Sequence, residues 1–134
     1  MFKWIRGWLA EWHQMFQPSE ERKYFERELL MRPPSTDEQW TCVYKECGRD
    51  RTRRIVRSLE QASNWPPDRL LPTDSLDFLF HGAANEEMPF GLFRSDVRRE
   101  FGIRVTMEDI ATKLSQNQRT LHGLIRLIVT LSRK

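Results

Sequence analysis

Cysteine, histidine and glycine are scarce in this chain. Its 134 residues include 2 Cys, 3 His and 6 Gly. Cys42 and Cys47 share one polar stretch with no His or third Cys nearby, so no tetrahedral zinc set can be assembled locally. His13, His81 and His122 fall in separate segments. The modest glycine content, 7 Pro and no repeating period exclude collagen-like, low-complexity and coiled-coil chains. No apolar run approaches the ~20 residues that a membrane-spanning helix needs. The opening MFKWIRGWLAEWHQMF is not expected to be a secretory leader, because Arg6, Glu11 and His13 interrupt its apolar region and no small-residue cleavage site follows. Two unpatterned thiols read as reduced cysteines, and the expected location is a cytoplasm of bacterial type.

Charge of one sign is also lacking. Against 22 Lys and Arg stand 19 Asp and Glu, a net +3 with both signs interspersed. Such a mixture is mainly a solvated surface and steers a polyanion weakly, which argues against nucleic acid as a partner. What the chain does have is aromatic bulk: 8 Phe, 5 Trp and 2 Tyr, enough to build a core in one domain.

Apolar spacing predicts helices throughout. Phe2, Ile5, Leu9, Trp12 and Phe16 recur at intervals of three and four, widened by Trp4, Trp8 and Met15. After Pro18 a second helix over SEERKYFERELLM runs to the Pro33-Pro34 break. That break divides an amphipathic aromatic arm, 1–33, from a helical domain, 34–134. Ser35 and Glu38 form a capping-box pattern before DEQWTCVYKEC, which Gly48 closes. A fourth helix is expected over about 50–62, then an irregular stretch to about Met88, and a fifth helix over about 89–101 ending at Gly102. Thr106 with Asp109, and Ser115 with Gln118, are further capping pairs, opening a short helix and a closing one that carries Leu121, Leu124, Ile125, Ile128 and Leu131. No segment alternates with period two, so the expected class is all-α. The expected core includes Ile55, Leu59, Trp65, Leu70, Leu76, Phe93, Val97, Phe101, Ile103 and Val105.

From about residue 50 to the end, this order of features resembles the acyl carrier protein family. IVRSLEQASNWPPDRLLPTDSL is similar to the family's first helix and following loop, REFGIRVTMEDI to the end of its second helix and turn, and TLHGLIRLI to its last helix. The resemblance implies an acyl-carrier-protein-like helical bundle. It also implies a serine, in an Asp-Ser-Leu motif opening the second helix, that carries phosphopantetheine. Asp74-Ser75-Leu76 has those letters, but the family's serine stands about fourteen residues, near four helical turns, before the phenylalanine matched by Phe101. That count lands on Glu87, beside Glu86, whereas Ser75 lies 26 residues before Phe101 and follows Pro72-Thr73 as a loop serine. A carboxylate suits a helix N-terminus but accepts no phosphopantetheine.

The resulting expectation is a carrier-like domain without a cofactor that binds a protein partner, or a second copy through the Trp4, Trp8 and Trp12 face. Peripheral contact of that face with a membrane surface is the other use of its indoles. Two alternatives stand beside this reading. One is a working carrier with phosphopantetheine on Ser75. The other is a helix-turn-helix over 107–128, in which Gln116, Asn117, Gln118 and Arg119 open a recognition helix. Catalysis is not expected: Glu86-Glu87 and Glu108-Asp109 are sequence neighbours near helix starts, and no nucleophile motif or glycine-rich phosphate loop is present.

Overall fold

The computed structural model describes residues 20–80 and 87–133. They form helices α1 (Glu20–Met31), α2 (Asp37–Cys47), α3 (Arg49–Ser63), α4 (Leu76–Leu79), α5 (Glu87–Phe101), α6 (Met107–Lys113) and α7 (Leu121–Ser132), with one 3-10 turn at Gln116–Gln118. Among the described residues there is no strand, only a single bridge between Ser75 and Thr120. The class is all-α.

Local chemistry sets most boundaries. Thr106 caps α6, its hydroxyl accepting the Asp109 N–H at 3.0 Å while Asp109 accepts the Thr106 N–H at 3.0 Å. Ser115 and Gln118 make the corresponding box at the 3-10 turn. At α2 the box is one residue later than the sequence pattern suggests. Thr36 and Gln39 form it, not Ser35 and Glu38. The Ser35 N–H is committed elsewhere, donating to the Asp68 carbonyl at 2.7 Å, so the chain is still extended at Ser35 and turns helical beyond Thr36. Gly48 separates α2 from α3 with φ of +90°, a conformation that would strain a side chain, and thereby joins two helices through one residue.

Helix α3 is the spine. It packs most broadly on α5, and also on α2 and α7, while α2 packs on α7. Ile55, Leu59, Phe93, Val97, Leu121, Leu124, Ile125 and Ile128 are fully buried where these helices meet. Leu70 and Leu76 dock into the same core from the loop between α3 and α5, and Trp65 donates its indole N–H to the Leu79 carbonyl at 2.9 Å. The stretch expected to be irregular thus contains α4, a helix of 4 residues, too short for a period to register. Two expected core residues, Phe101 and Ile103, are only partly buried and pack on the edge of the core. Phe101 ends α5 and Ile103 follows it, where the chain is already leaving the bundle.

The Pro33-Pro34 break lies inside the packed body. Phe25 and Leu29 of α1 belong to the same core cluster as α3 and α7. The Phe25 ring meets Trp65 edge-on at 5.3 Å and stacks on Phe78 at 5.3 Å, and the Arg22 guanidinium covers the other part of Trp65 at 4.1 Å. Residues 20–31 therefore share the core with the domain that follows the break. The aromatic stripe of Trp4, Trp8 and Trp12 lies outside the described residues.

Candidate functional site

Asp74-Ser75-Leu76 is the segment with the strongest chemical resemblance, and its geometry is structural. Asp74 is buried and accepts two hydrogen bonds from Arg32, both at 2.9 Å, plus the Leu71 N–H at 2.7 Å. Its carbonyl takes the Leu121 N–H at 2.9 Å, tying the loop to the start of α7. The Asp74 hydrogen bonds raise the pKa of Arg32 further above its ordinary value. Ser75 has extended backbone and its hydroxyl accepts the Asp77 N–H at 3.2 Å, capping α4, while Leu76 enters the core. The long helix α5 is described from Glu87, whereas Ser75 precedes the short α4. The Ser75 hydroxyl thus caps a one-turn helix beside the Arg32–Asp74 ion pair. Glu86 and the Glu87 side chain lie outside the described residues.

In the segment 107–128, Gln116, Asn117, Gln118 and Arg119 lie in and at the end of a 3-10 turn. Gln116–Gln118 is an isolated 3-10 turn that Arg119 ends, and α7 starts only at Leu121. Leu121, Gly123, Leu124, Ile125, Leu127, Ile128 and Val129 are all buried, so α7 is enclosed by the core. Of the wetter residues, His122 and Arg126 are held by Glu46 of α2: His122 Nε2 stands 2.9 Å from one carboxylate oxygen, and Arg126 donates to both oxygens. The Arg126 hydrogen bonds hold the Glu46 carboxyl below its ordinary range.

Cys42 is exposed and Cys47 buried, both free, and burial pushes the Cys47 thiol up. No group of three or more His, Cys, Asp or Glu that could hold a metal ion exists among the described residues. Nor is any described helix long and apolar enough to cross a membrane.

The feature built like a binding site is a cleft between α2 and α3, enclosing about 540 Å³ with its open mouth. From α2 come Asp37, Trp40 and Tyr44, at spacings that stack them along one side. The Trp40 and Tyr44 rings lie 6.3 Å apart and nearly parallel. From α3 come Thr52, Val56 and Glu60, a row of every fourth residue, flanked by Arg53 and Arg57 at the lip. Thr52 is fully buried, and its hydroxyl has no hydrogen-bond partner among the described residues. Burial raises the Glu60 carboxyl, while the Asp68 N–H, donating at 2.8 Å, and then Arg57 and Arg53 work in the opposite direction. Asp37 is already paired with Arg49 at 3.1 Å, and Arg49 in turn covers Tyr44 at 5.5 Å. Arg53 and Arg57 are exposed, with no ion pair of their own among the described residues.

The sequence alone gives Thr52 and Glu60 no role. With Val56 they recur every four residues, but the burial that gives that spacing meaning comes from α2, another helix. No protein-family model, curated protein or solved structure matches the chain.

Proposed function

We propose that this chain is a non-catalytic, carrier-protein-like domain that works as a protein-interaction module in the cytoplasm, with Ser75 unmodified. The order of a long helix (α3), a loop docked by Leu70 and Leu76, a second long helix (α5), a short helix (α6) and a closing helix (α7) supports the carrier-like part of the reading. The observation that carries the interaction role is the α2–α3 cleft, with its aromatic wall and the exposed Arg53 and Arg57 beside it. The polar residues that most resemble chemical groups are otherwise engaged: Asp74 in an ion pair, Asp109 and Ser75 in caps, Glu46 in a cross-helix bridge. A second copy joined through Trp4, Trp8 and Trp12 is the other partner consistent with the sequence.

Site-directed photo-cross-linking tests this. A benzophenone amino acid is placed singly at Arg53, at Leu92 and at Thr130, three exposed positions on different helices, in the full chain inside producing cells. A discrete protein adduct, identified by mass spectrometry, is expected from at least one position. No adduct from any position overturns the interaction reading.

A further inference from the structure

The outer face of α1 leaves apolar side chains uncovered. Six large apolar side chains are exposed among the described residues, and three of them, Tyr24, Leu30 and Met31, lie on this one helix of 12 residues. Tyr24 is 67% exposed and Met31 87%, while Phe25 and Leu29, on the inner side, are in the core. Residues seven apart return to one face after two turns, so Tyr24 and Met31 share a row, with Arg27 between them. The Arg27 guanidinium turns back to its own helix and donates to the Lys23 carbonyl at 3.4 Å. Glu28 flanks the row on one side, and Lys23 and Leu30 flank it on the other. An apolar face gathered on one helix calls for a covering partner.

The chain carries a matching occupant just before α1. Phe2, Ile5, Leu9, Trp12 and Phe16 make one row, and only residues 17–19, with Pro18 at their centre, separate that segment from Glu20. Pro18 opposes one continuous helix through to α1, and a link this short joins helices as antiparallel neighbours. Turning back about Pro18 sets Trp12 level with Tyr24, Leu9 with the stem of Arg27, and Ile5 with Met31. Both rows thus keep the same seven-residue spacing. In an antiparallel pair the flanks of the same hand meet, which brings Arg6 beside Glu28 and Trp8 beside Leu30. Glu28 already has Arg32 at 3.9 Å, a long contact that leaves the carboxylate half exposed. Sixteen helical residues span about 24 Å and α1 about 18 Å, so the segment covers the whole face and ends over the exposed Pro33-Pro34.

We propose that residues 1–16 form a helix that folds back on α1 as its antiparallel partner, with Trp12 on Tyr24, Ile5 on Met31 and Arg6 beside Glu28. The contact is made within one chain, because three linking residues hold the segment at a millimolar effective concentration that a second copy does not match. The inference is independent of the interaction-module reading, and it takes Trp12 out of any surface offered to a second copy.

The test is amide hydrogen exchange and NOE spectroscopy on the isotope-labelled full chain. Slowed exchange across 4–16 is expected, with NOEs from the Trp12 indole to the Tyr24 ring and from the Ile5 methyls to the Met31 methyl. In an isotope-filtered mixture of labelled and unlabelled chains, those NOEs should arise within one molecule. The double variant Tyr24→Lys, Met31→Lys changes only exposed residues and should speed exchange across 4–16 by about tenfold or more while the amides of α3 keep their protection. Trp12→Lys alters the other side of the contact and should do the same; it decides the matter if the double variant also loses protection in α3. Unprotected amides at 4–16, NOEs between chains, or exchange unchanged in either variant would overturn the proposal. Protection that appears only on adding vesicles of phosphatidylcholine and phosphatidylglycerol overturns it too, by assigning the segment to a membrane surface. None of these outcomes alters the cross-linking result at Arg53, Leu92 or Thr130.

Discussion

Arg32 and Asp74 stand 42 residues apart in the chain and meet in a two-pronged ion pair, each contact 2.9 Å long. The pair fastens the end of α1 to the loop that feeds α4, and the same Asp74 reaches α7 through its carbonyl. Three elements distant in sequence are thus tied at one carboxylate, whose side chain is 6% exposed. Arg32→Met should cost about 3 kcal/mol, since breaking one side of a buried pair leaves the other charge uncompensated. Replacing both partners together with apolar residues should cost less than Arg32→Met alone. Urea unfolding of the three proteins measures both quantities. Equal stability of Arg32→Met and the parent would contradict the burial of this pair.

Gly123 is set by close approach. A Cβ built there would lie 1.8 Å from the Gln118 carbonyl oxygen, which is backbone and cannot swing aside. Gly123→Ala should therefore destabilise by at least ~2 kcal/mol through forced movement of the 3-10 turn. Gly91, inside α5, has nothing within 4 Å of its Cβ position. Gly91→Ala should stabilise by about 0.5–1 kcal/mol, because alanine loses less backbone entropy in a helix. Opposite signs in the two melting-temperature shifts are the expected outcome.

The bridge from Glu46 to His122 and Arg126 has a pH signature. The carboxyl is held below its ordinary value of 4.5, chiefly by the Arg126 hydrogen bonds. A depressed carboxyl contributes stability above its unfolded value, and that contribution is lost as pH falls through the lower folded value. Glu46 is 39% exposed, so solvent screens the effect and it stays below about 1 kcal/mol. The stability difference between the parent and Glu46→Gln should shrink as pH falls below 4.5. A difference that grows below pH 4.5 would refute this assignment.

Ser75 should remain unmodified. After co-expression with a broad-specificity phosphopantetheinyl transferase, the intact mass of the folded protein is expected to equal that of the bare chain. Ser75→Ala should cost about 1 kcal/mol, the typical loss of an N-cap, through the freed Asp77 N–H. A mass gain of one phosphopantetheine that vanishes in Ser75→Ala would make the protein a working carrier.

Where a structural decision is local, the sequence carried it. The Thr106–Asp109 and Ser115–Gln118 boxes need only residues three apart, and both form, although the second opens the 3-10 turn while Thr120 caps the closing helix. The box at α2 is displaced because Ser35 answers to Asp68, a residue with no local signal. Phe101 and Ile103 read as core by type, yet side-chain type does not encode that α5 is leaving the bundle there. The place of α1 depends on Arg22 reaching Ser63 and on Arg32 reaching Asp74, contacts that no periodicity reveals. The cleft was illegible for the same reason. Its aromatic wall and its polar floor each sit in plain sequence patterns, and only the approach of α2 to α3 makes them one surface.

Gly48 has one last consequence. Since α2 ends and α3 begins on either side of that single residue, the two walls of the cleft are joined by a hinge pin and not by a loop. Insertions, the usual way a recognition surface changes its dimensions, have nowhere to enter at that end without breaking a helix. Among descendants of this sequence, the span between the walls is inherited as a fixed gauge, and a new ligand must be accommodated by exchanging side chains along the two rails.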